Sequence, residues 1–146
     1  MNGRYEETFM DIVSFVEENY RVKADKANRA IAGLSMGGFH SLHISRYYPN
    51  TFDYMGLFSA AIIPPQDASS RVYKDIDASL KVQMENGYKL YWIGIGKTDF
   101  LYENVTEYRE KLDSLGMSYT NRESEEGHIW KNWRIYLSEF VPLLFK

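Results

Sequence analysis

The residues best suited to chemistry stand in one short segment, Gly33–Gly37, which reads Gly-Leu-Ser-Met-Gly. A serine between glycines at this spacing, where a strand passes into a helix, predicts a nucleophile elbow that holds the serine in a strained turn. We expect the turn to require glycine at positions Gly33 and Gly37, because larger side chains there would collide across it. The backbone N–H of Met36, directly after Ser35, is the predicted oxyanion donor. The alternative is a glycine-rich turn from strand to helix in which the serine has no catalytic role.

A serine hydroxyl needs a base to remove its proton, and the base needs a third group to orient it. Asp99 and His128 follow Ser35 in the chain, and each comes after a predicted strand. The order serine, acid, histidine is the one used by hydrolases with a nucleophile elbow. We therefore predict a catalytic triad of these three residues. Asp99 taken alone could instead cap the helix that begins near Leu101 or Tyr102.

Histidine and tryptophan are two further residue types that could take part in chemistry, and each can also be explained by packing. The chain has three histidines, and His40 and His43 fall on the helix after the elbow, where they are interpreted as surface or packing residues. Trp130 and Trp133 suggest stacking on a phenolic acid, but their spacing in the terminal helix favours core packing. His128 is the histidine whose loop position suits a general base.

Hydrophobic periodicity predicts alternating helices and strands. A helix over Tyr5–Tyr20 carries its apolar residues on one stripe, which predicts that it covers a sheet face. The other predicted elements are a strand at Ala30–Leu34, the elbow helix up to Pro49, a strand at Tyr54–Ala60, a helix within Arg71–Asn86, a strand at Lys89–Gly96, a helix at Glu103–Leu115, a strand at Tyr119–Arg122 and a helix at Ile129–Phe145. This alternation indicates an α/β fold with a parallel sheet covered on both faces. No linker divides residues 1–146, so we expect a single domain.

Composition limits the classes of function. The chain has 146 residues, 45% of them hydrophobic, and a net charge of −3 without a basic run, so we expect no nucleic-acid partner. The lack of cysteine excludes a disulfide scaffold, a thiolate metal site and a cysteine nucleophile. Residues 1–20 are amphipathic and acidic, unlike a signal peptide. No apolar run is long enough to cross a bilayer, so we expect no membrane partner.

Three motifs resemble the esterase D superfamily of α/β-hydrolases. They are Ala32–Gly38, Gly96–Asp99 and Glu126–Trp130 with Trp133 after it. Within the superfamily the chain is most similar to the feruloyl and acetyl xylan esterases of carbohydrate esterase family 1. The resemblance runs over essentially the whole chain, and the core Gly-Leu-Ser-Met-Gly-Gly is its most specific part.

The resemblance implies a serine carboxylic-ester hydrolase that works through an acyl-enzyme and uses no metal or organic cofactor. Ser35 would be the nucleophile, His128 the general base, Asp99 its orienting acid, and the Met36 N–H an oxyanion donor. The substrate would be a small ester or carbohydrate ester, with feruloyl or acetyl esters of plant polysaccharide favoured. S-formylglutathione hydrolase and siderophore esterase activities, found in the same superfamily, stay open. The resemblance favours a secreted or periplasmic protein over a cytoplasmic one.

The resemblance covers only the C-terminal half of the family's fold. Family members carry further strands before the elbow, together with the loop that supplies a second oxyanion N–H. We therefore expect a partial α/β-hydrolase fold of about four parallel strands, with the Ala30–Leu34 strand at an edge. An apolar edge strand predicts a homo-oligomer, or pairing with a missing N-terminal segment, and weak esterase activity of the isolated chain. The alternative is an esterase-like domain without activity that serves as an assembly module.

Overall fold

The computed structural model describes residues 2–146 and contains a sheet of four parallel strands in the order β1-β2-β3-β4. The strands are β1 (Ala30–Leu34), β2 (Tyr54–Phe58), β3 (Leu90–Gly96) and β4 (Thr120–Ser124). The helices are α1 (Arg4–Glu7), α2 (Phe9–Asn19), α3 (Met36–Tyr47), α4 (Ile76–Glu85), α5 (Tyr102–Leu115) and α6 (Trp130–Phe140). Within residues 2–146, no helix has the length and apolar character of a membrane span. The predicted fold class, four parallel strands flanked by helices, is confirmed.

The strands run side by side in a register that aligns their carboxyl ends. Leu34 at the end of β1 is opposite Phe58, and Phe58 is opposite Gly94 of β3. Each strand is followed by a helix, so the residues just after the strands meet at one edge of the sheet. Ser35 and Asp99 lie at this carboxyl edge because they follow β1 and β3.

The sheet has a core on each face. The larger core lies under α3, α4 and α5 and includes Leu42, Ile44, Met55, Leu57, Leu80, Ile93, Ile95, Val105 and Leu112. The smaller core lies under α6 and consists of Phe58, Trp92, Tyr136 and Phe140. Neighbouring strand residues such as Leu57 and Phe58 belong to different cores because successive strand side chains point to opposite faces.

Strand β1 lies at the edge of the sheet, as predicted. It is hydrogen-bonded to β2, and no second strand within residues 2–146 pairs with its other side. Ala32, in the middle of β1, is exposed. An unpaired strand edge offers a row of N–H and C=O groups to another strand.

The N-terminal segment corrects one prediction. The structure has α1 and α2 in place of a single helix over Tyr5–Tyr20. No residue of α2 is buried, and Ile12 and Phe15 are 50% and 58% exposed. Phe9 packs against the larger core, next to Phe52. The apolar stripe of α2 therefore covers little of the sheet, because it borders an open groove of about 370 Å³ beside β1.

Several element boundaries also differ from the prediction; β2, for example, ends at Phe58 and not at Ala60. The segment Arg71–Asn86 forms a short 3₁₀ turn at Arg71–Tyr73 before α4 begins. The terminal helix ends at Phe140 and gives way to a 3₁₀ turn that contains Pro142, whose ring is incompatible with a continuing α-helix. Strand β4 begins one residue later than predicted and extends to Ser124.

Candidate active site

Ser35 occupies the turn between β1 and α3 with φ of 51° and ψ of −116°. A positive φ strains any residue except glycine, so surrounding contacts must hold this conformation. The Ser35 N–H donates to the carbonyl of Phe58 at 2.9 Å. The Ser35 carbonyl accepts from the N–H groups of Phe39 and Ala61, each at 3.1 Å. These bonds connect the strained turn to β2, to α3 and to the loop after β2.

Two glycines let α3 start close to the sheet. A Cβ on Gly33 would lie 2.2 Å from the carbonyl carbon of Gly37, and a Cβ on Gly38 would lie 2.4 Å from the Cβ of Ala60. A Cβ on Gly37, by contrast, would meet nothing within 4 Å. The steric prediction was therefore right for Gly33 and wrong for Gly37. The second close approach occurs one residue later, at Gly38.

Met36 is the first residue of α3. The N–H groups in the first turn of a helix have no acceptor inside the helix, and the positive end of the helix dipole lies there. The Met36 N–H can therefore bind an anion that forms beside Ser35. This position agrees with the oxyanion role that the sequence predicts.

Asp99 and His128 form a carboxylate–imidazole pair. The Nδ1 atom of His128 lies 2.9 Å from Oδ2 and 3.1 Å from Oδ1 of Asp99. Oδ1 also accepts a hydrogen bond of 3.0 Å from the N–H of Leu101, the residue before α5. The carboxylate thus contacts the imidazole and also stabilises the turn before α5. It does not cap the helix, because its partner is the N–H of Leu101 outside α5 and α5 has no side-chain cap. With Nδ1–H donating to Asp99, Nε2 keeps a lone pair that can accept a proton.

The loop that carries His128 is held by Asn132. The side-chain amide of this buried residue donates to the carbonyl oxygens of Glu126 and Gly127, each at 2.9 Å. A Cβ on Gly96 would lie 1.6 Å from the Glu126 oxygen, so the loop passes directly over the end of β3. Asn132 is not among the site residues that the sequence predicts. Its signal is an amide side chain in the first turn of α6, four residues after His128.

Two aromatic rings contact the imidazole of His128. The ring centroid of Phe100 lies 4.7 Å from that of His128, and the centroid of Trp133 lies 4.9 Å away in a nearly perpendicular ring. Trp133 also packs against the smaller core, as predicted. Trp130 is 65% exposed, so the core prediction was wrong for it. The sequence signal for Phe100 is an aromatic residue directly after the predicted acid.

Ser35 lies at the same edge of the sheet but is not bonded to the imidazole. Within residues 2–146, the side-chain hydrogen bonds of His128 go to Asp99, and none joins it to Ser35. Leu34, directly before Ser35, and Trp133, beside His128, line a common cavity of about 250 Å³. Catalytic hydrogen bonds are often long before substrate binds and shorten in the complex.

The side chains of the other two histidines contact residues of helices α1 and α3. His40 Nδ1 lies 2.8 Å from Oε1 of Glu6 in α1. His43 is fully buried, and its Nδ1 accepts from the guanidinium of Arg46 at 2.7 Å. Burial, and then the positive charge of Arg46, lower the pKa of His43 to about 3, so the ring is neutral near pH 7. Both residues belong to α3, and their contacts agree with the packing roles that the sequence predicts.

The four parallel strands and their connecting helices form an α/β fold. Its structural neighbours, among them a ferulic acid esterase, are α/β-hydrolases. The comparison with family models narrows the class. Residues 4–144 match the family Esterase, described as "Putative esterase", so the chain belongs to this esterase family.

Three relatives illustrate the match. An endo-1,4-beta-xylanase/feruloyl esterase of Xylanibacter ruminicola is 28% identical over 144 residues, which cover 97% of this chain and 18% of the relative. An acetyl esterase of Caldicellulosiruptor saccharolyticus is 28% identical over 164 residues, covering 93% of this chain and 61% of the relative. A solved ferulic acid esterase superposes with a TM-score of 0.73 at 25% identity, over 94% of this chain and 59% of that one. The chain therefore spans less than two thirds of each of these proteins.

Proposed function

We propose that this chain is a serine carboxylic-ester hydrolase that acts through an acyl-enzyme. Ser35 is the nucleophile, His128 the general base, and Asp99 the acid that orients His128. The proposal is carried by the 2.9 Å contact between His128 Nδ1 and Asp99 Oδ2. This contact forms at the carboxyl edge of the sheet, and Ser35, with its positive φ of 51°, lies at the same carboxyl edge. Membership of an esterase family supports the same assignment.

In acylation, Nε2 of His128 accepts the hydroxyl proton of Ser35 while Oγ forms a bond to the ester carbonyl carbon. The carbonyl electron pair moves onto the oxygen, and the Met36 N–H at the start of α3 stabilises this oxyanion. When the oxyanion collapses, the C–O bond to the alcohol breaks and the imidazolium gives its proton to the departing alkoxide. The products are the free alcohol and the acyl-serine.

In deacylation, His128 removes a proton from water, whose oxygen attacks the acyl carbon. Collapse of the second oxyanion breaks the bond to Ser35 Oγ, and the imidazolium returns a proton to that oxygen. Asp99 stays ionised throughout and stabilises the imidazolium through Nδ1–H. The cycle uses side chains, the backbone N–H of Met36 and water, and so needs no cofactor.

Feruloyl or acetyl esters of plant polysaccharide are the proposed substrates. The names of two relatives, a xylanase/feruloyl esterase and an acetyl esterase, support this choice. S-formylglutathione hydrolase or siderophore esterase activity is the alternative within the class. Relative rates of hydrolysis of an aryl ferulate, an aryl acetate and S-formylglutathione distinguish these substrates.

The free edge of β1 is the proposed site for a further strand-bearing polypeptide segment. Apolar grooves of about 370 Å³ and about 250 Å³ run beside β1, the first toward α2 and the second toward α6. The acetyl esterase and the ferulic acid esterase contain polypeptide beyond the matched 61% and 59% of their lengths. A segment of that kind would pair with β1 and cover both grooves.

A second candidate function is an esterase-like interaction module without catalysis. The missing hydrogen bond between Ser35 and His128 within residues 2–146, together with the unpaired edge of β1, favours it. In this alternative the grooves beside β1 bind another polypeptide, and Ser35 has no catalytic role.

A fluorophosphonate probe distinguishes the two candidates, because it reacts with an activated serine. We expect labelling of the wild-type chain, loss of labelling in Ser35→Ala, and full labelling in Ser114→Ala, an exposed serine of α5. Ester turnover will be slow, since an oxyanion donor that is not supplied costs about 3 kcal/mol, or about 100- to 1,000-fold in rate. A wild-type chain that is neither labelled nor able to hydrolyse any of the esters named above would leave the interaction module as the function.

A further inference from the structure

We propose that Phe100 and Trp133 are positioning residues that fix the plane of the His128 imidazole and so keep its Nε2 directed at the nucleophile. The proposal rests on the proposed function, because it takes His128 as the general base. It adds two residues that act through His128 and need not touch the substrate.

Phe100 is placed in a way that folding does not explain. Its side chain is 74% exposed, so it buries little apolar area and adds little to the hydrophobic stabilisation of the fold. Its ring nevertheless lies 4.7 Å from the imidazole, with 47° between the two planes. A turn closed by the Asp99 N–H and the Gly96 carbonyl at 3.0 Å holds this segment. The acid and the aromatic ring therefore reach His128 from adjacent positions.

Trp133 supplies a second and firmer contact. Its ring is 4.9 Å from the imidazole at an interplanar angle of 84°. The indole is anchored because it packs against the smaller core under α6. Trp130 adds a further edge contact to Trp133 at 5.2 Å. Trp133 is thus a packed side chain that contacts the imidazole, whereas Phe100 contacts the imidazole from the solvent-exposed side of the site.

The contact with Asp99 alone leaves the imidazole free to tilt about the Nδ1···O direction. Ser35 does not restrain the other end of the ring, since no hydrogen bond joins it to His128 within residues 2–146. The two aromatic contacts therefore supply the restraint on where Nε2 points. A misplacement of about 1 Å in a catalytic group can cost about 100-fold in rate, so this restraint matters for catalysis.

The test measures the rate at which a fluorophosphonate labels Ser35, as a function of probe concentration. We expect Phe100→Ala to lower the maximal labelling rate about tenfold, with the half-saturating probe concentration unchanged. Phe100→Tyr keeps the ring and should label at the wild-type rate. Phe15→Ala, which removes another largely exposed phenylalanine far along the chain, is the matched control and should also label at the wild-type rate.

Two outcomes of the labelling test overturn the proposal. One is an unchanged labelling rate in Phe100→Ala. The other is a loss seen only in the half-saturating concentration, which would make Phe100 a ligand contact. Trp133→Phe should lower the rate less than Trp133→Leu, because a smaller ring still contacts the imidazole.

A second readout does not depend on activity. With three histidines in the chain, the ring protons of His128 can be assigned by NMR from their loss in His128→Gln. We expect ring currents to displace these resonances in the wild type and in Phe100→Tyr, and the displacement to shrink in Phe100→Ala. If the wild type is not labelled at Ser35, the proposed function fails, and the NMR comparison alone tests whether the Phe100 ring lies against His128, which the proposal requires. Unchanged His128 resonances in Phe100→Ala overturn the proposal that Phe100 positions the imidazole, whether or not the chain is an enzyme.

Discussion

Asp99 and His128 lie 29 residues apart in the sequence, yet Oδ2 of Asp99 is 2.9 Å from Nδ1 of His128. The same carboxylate accepts from the Leu101 N–H, so the start of α5 holds the acid in place. The orientation of the imidazole is therefore tied to the packing of a helix. Changes that keep the hydrogen bond to the Leu101 N–H but alter the charge of Asp99 can separate these two roles.

Asp99→Asn is that change. The asparagine oxygen can still accept from the Leu101 N–H, so we expect the free energy of unfolding to change little. Its amide can no longer stabilise an imidazolium, and we expect Ser35 labelling and ester hydrolysis to fall about 1,000-fold or more. Asp77→Asn, at an exposed contact with Lys111, is the control and should keep wild-type activity. Wild-type activity in Asp99→Asn would remove Asp99 from the triad.

Asn132 gives a prediction about the loop of His128. Asn132→Ala leaves the carbonyls of Glu126 and Gly127 without their donor and should cost about 1–3 kcal/mol of unfolding free energy. Asn132→Asp should cost more, because a buried carboxylate would face two carbonyl oxygens. Asn86→Asp is the matched control: Asn86 also donates to a carbonyl, but at an exposed helix end. Denaturant unfolding measures all three, and equal losses in Asn132→Asp and Asn86→Asp would contradict this account of the loop.

The free edge of β1 predicts self-association of the isolated chain. At tens of micromolar we expect light scattering to report a mass above that of a monomer. Ala32→Lys puts a charge on the exposed middle of β1 and should shift the chain toward monomer, since lysine on an edge strand opposes pairing. Thr120→Lys does the same on β4, the strand at the other edge, and should leave the mass unchanged. A defined dimer would assign the edge to a second copy, whereas a well-folded monomeric wild type would contradict the prediction.

His43 predicts how stability depends on pH. Burial lowers its pKa in the folded state to about 3, against about 6.5 for a histidine in an unfolded chain, so between these values the unfolded chain binds more protons. Stability from this group is complete above about pH 6.5 and is lost as the pH falls toward 3, by an amount on the order of a few kcal/mol. His43→Gln should flatten this loss relative to wild type in urea unfolding between pH 6.5 and 4. Parallel curves for the two proteins would show that His43 does not carry the effect.

Much of this arrangement could be read from the sequence because it is local. The sharp turn follows from the glycines around Ser35, of which Gly33 and Gly38 are sterically required, and Asp99 and His128 lie in loops after strands whose carboxyl ends meet. The contacts of Phe100 and Asn132 could not be predicted, because they depend on how two loops pass over the end of β3. The α2 prediction failed for a related reason: periodicity shows that a helix has an apolar stripe but not whether a surface is present to cover it.

The strain at Ser35 gives the last prediction, which concerns stability without reference to activity. Glycine adopts a positive φ at little cost, whereas alanine keeps the strain of the turn. We therefore expect Ser35→Gly to be more stable than Ser35→Ala by about 1–2 kcal/mol. At Ser45, inside α3, the order should reverse, because glycine in a helix is about 1 kcal/mol less favourable than alanine. Denaturant unfolding of the four variants measures both differences. If glycine were the less stable residue at both positions, the turn at Ser35 would not be strained, and the physical argument for a nucleophile elbow would lose its basis.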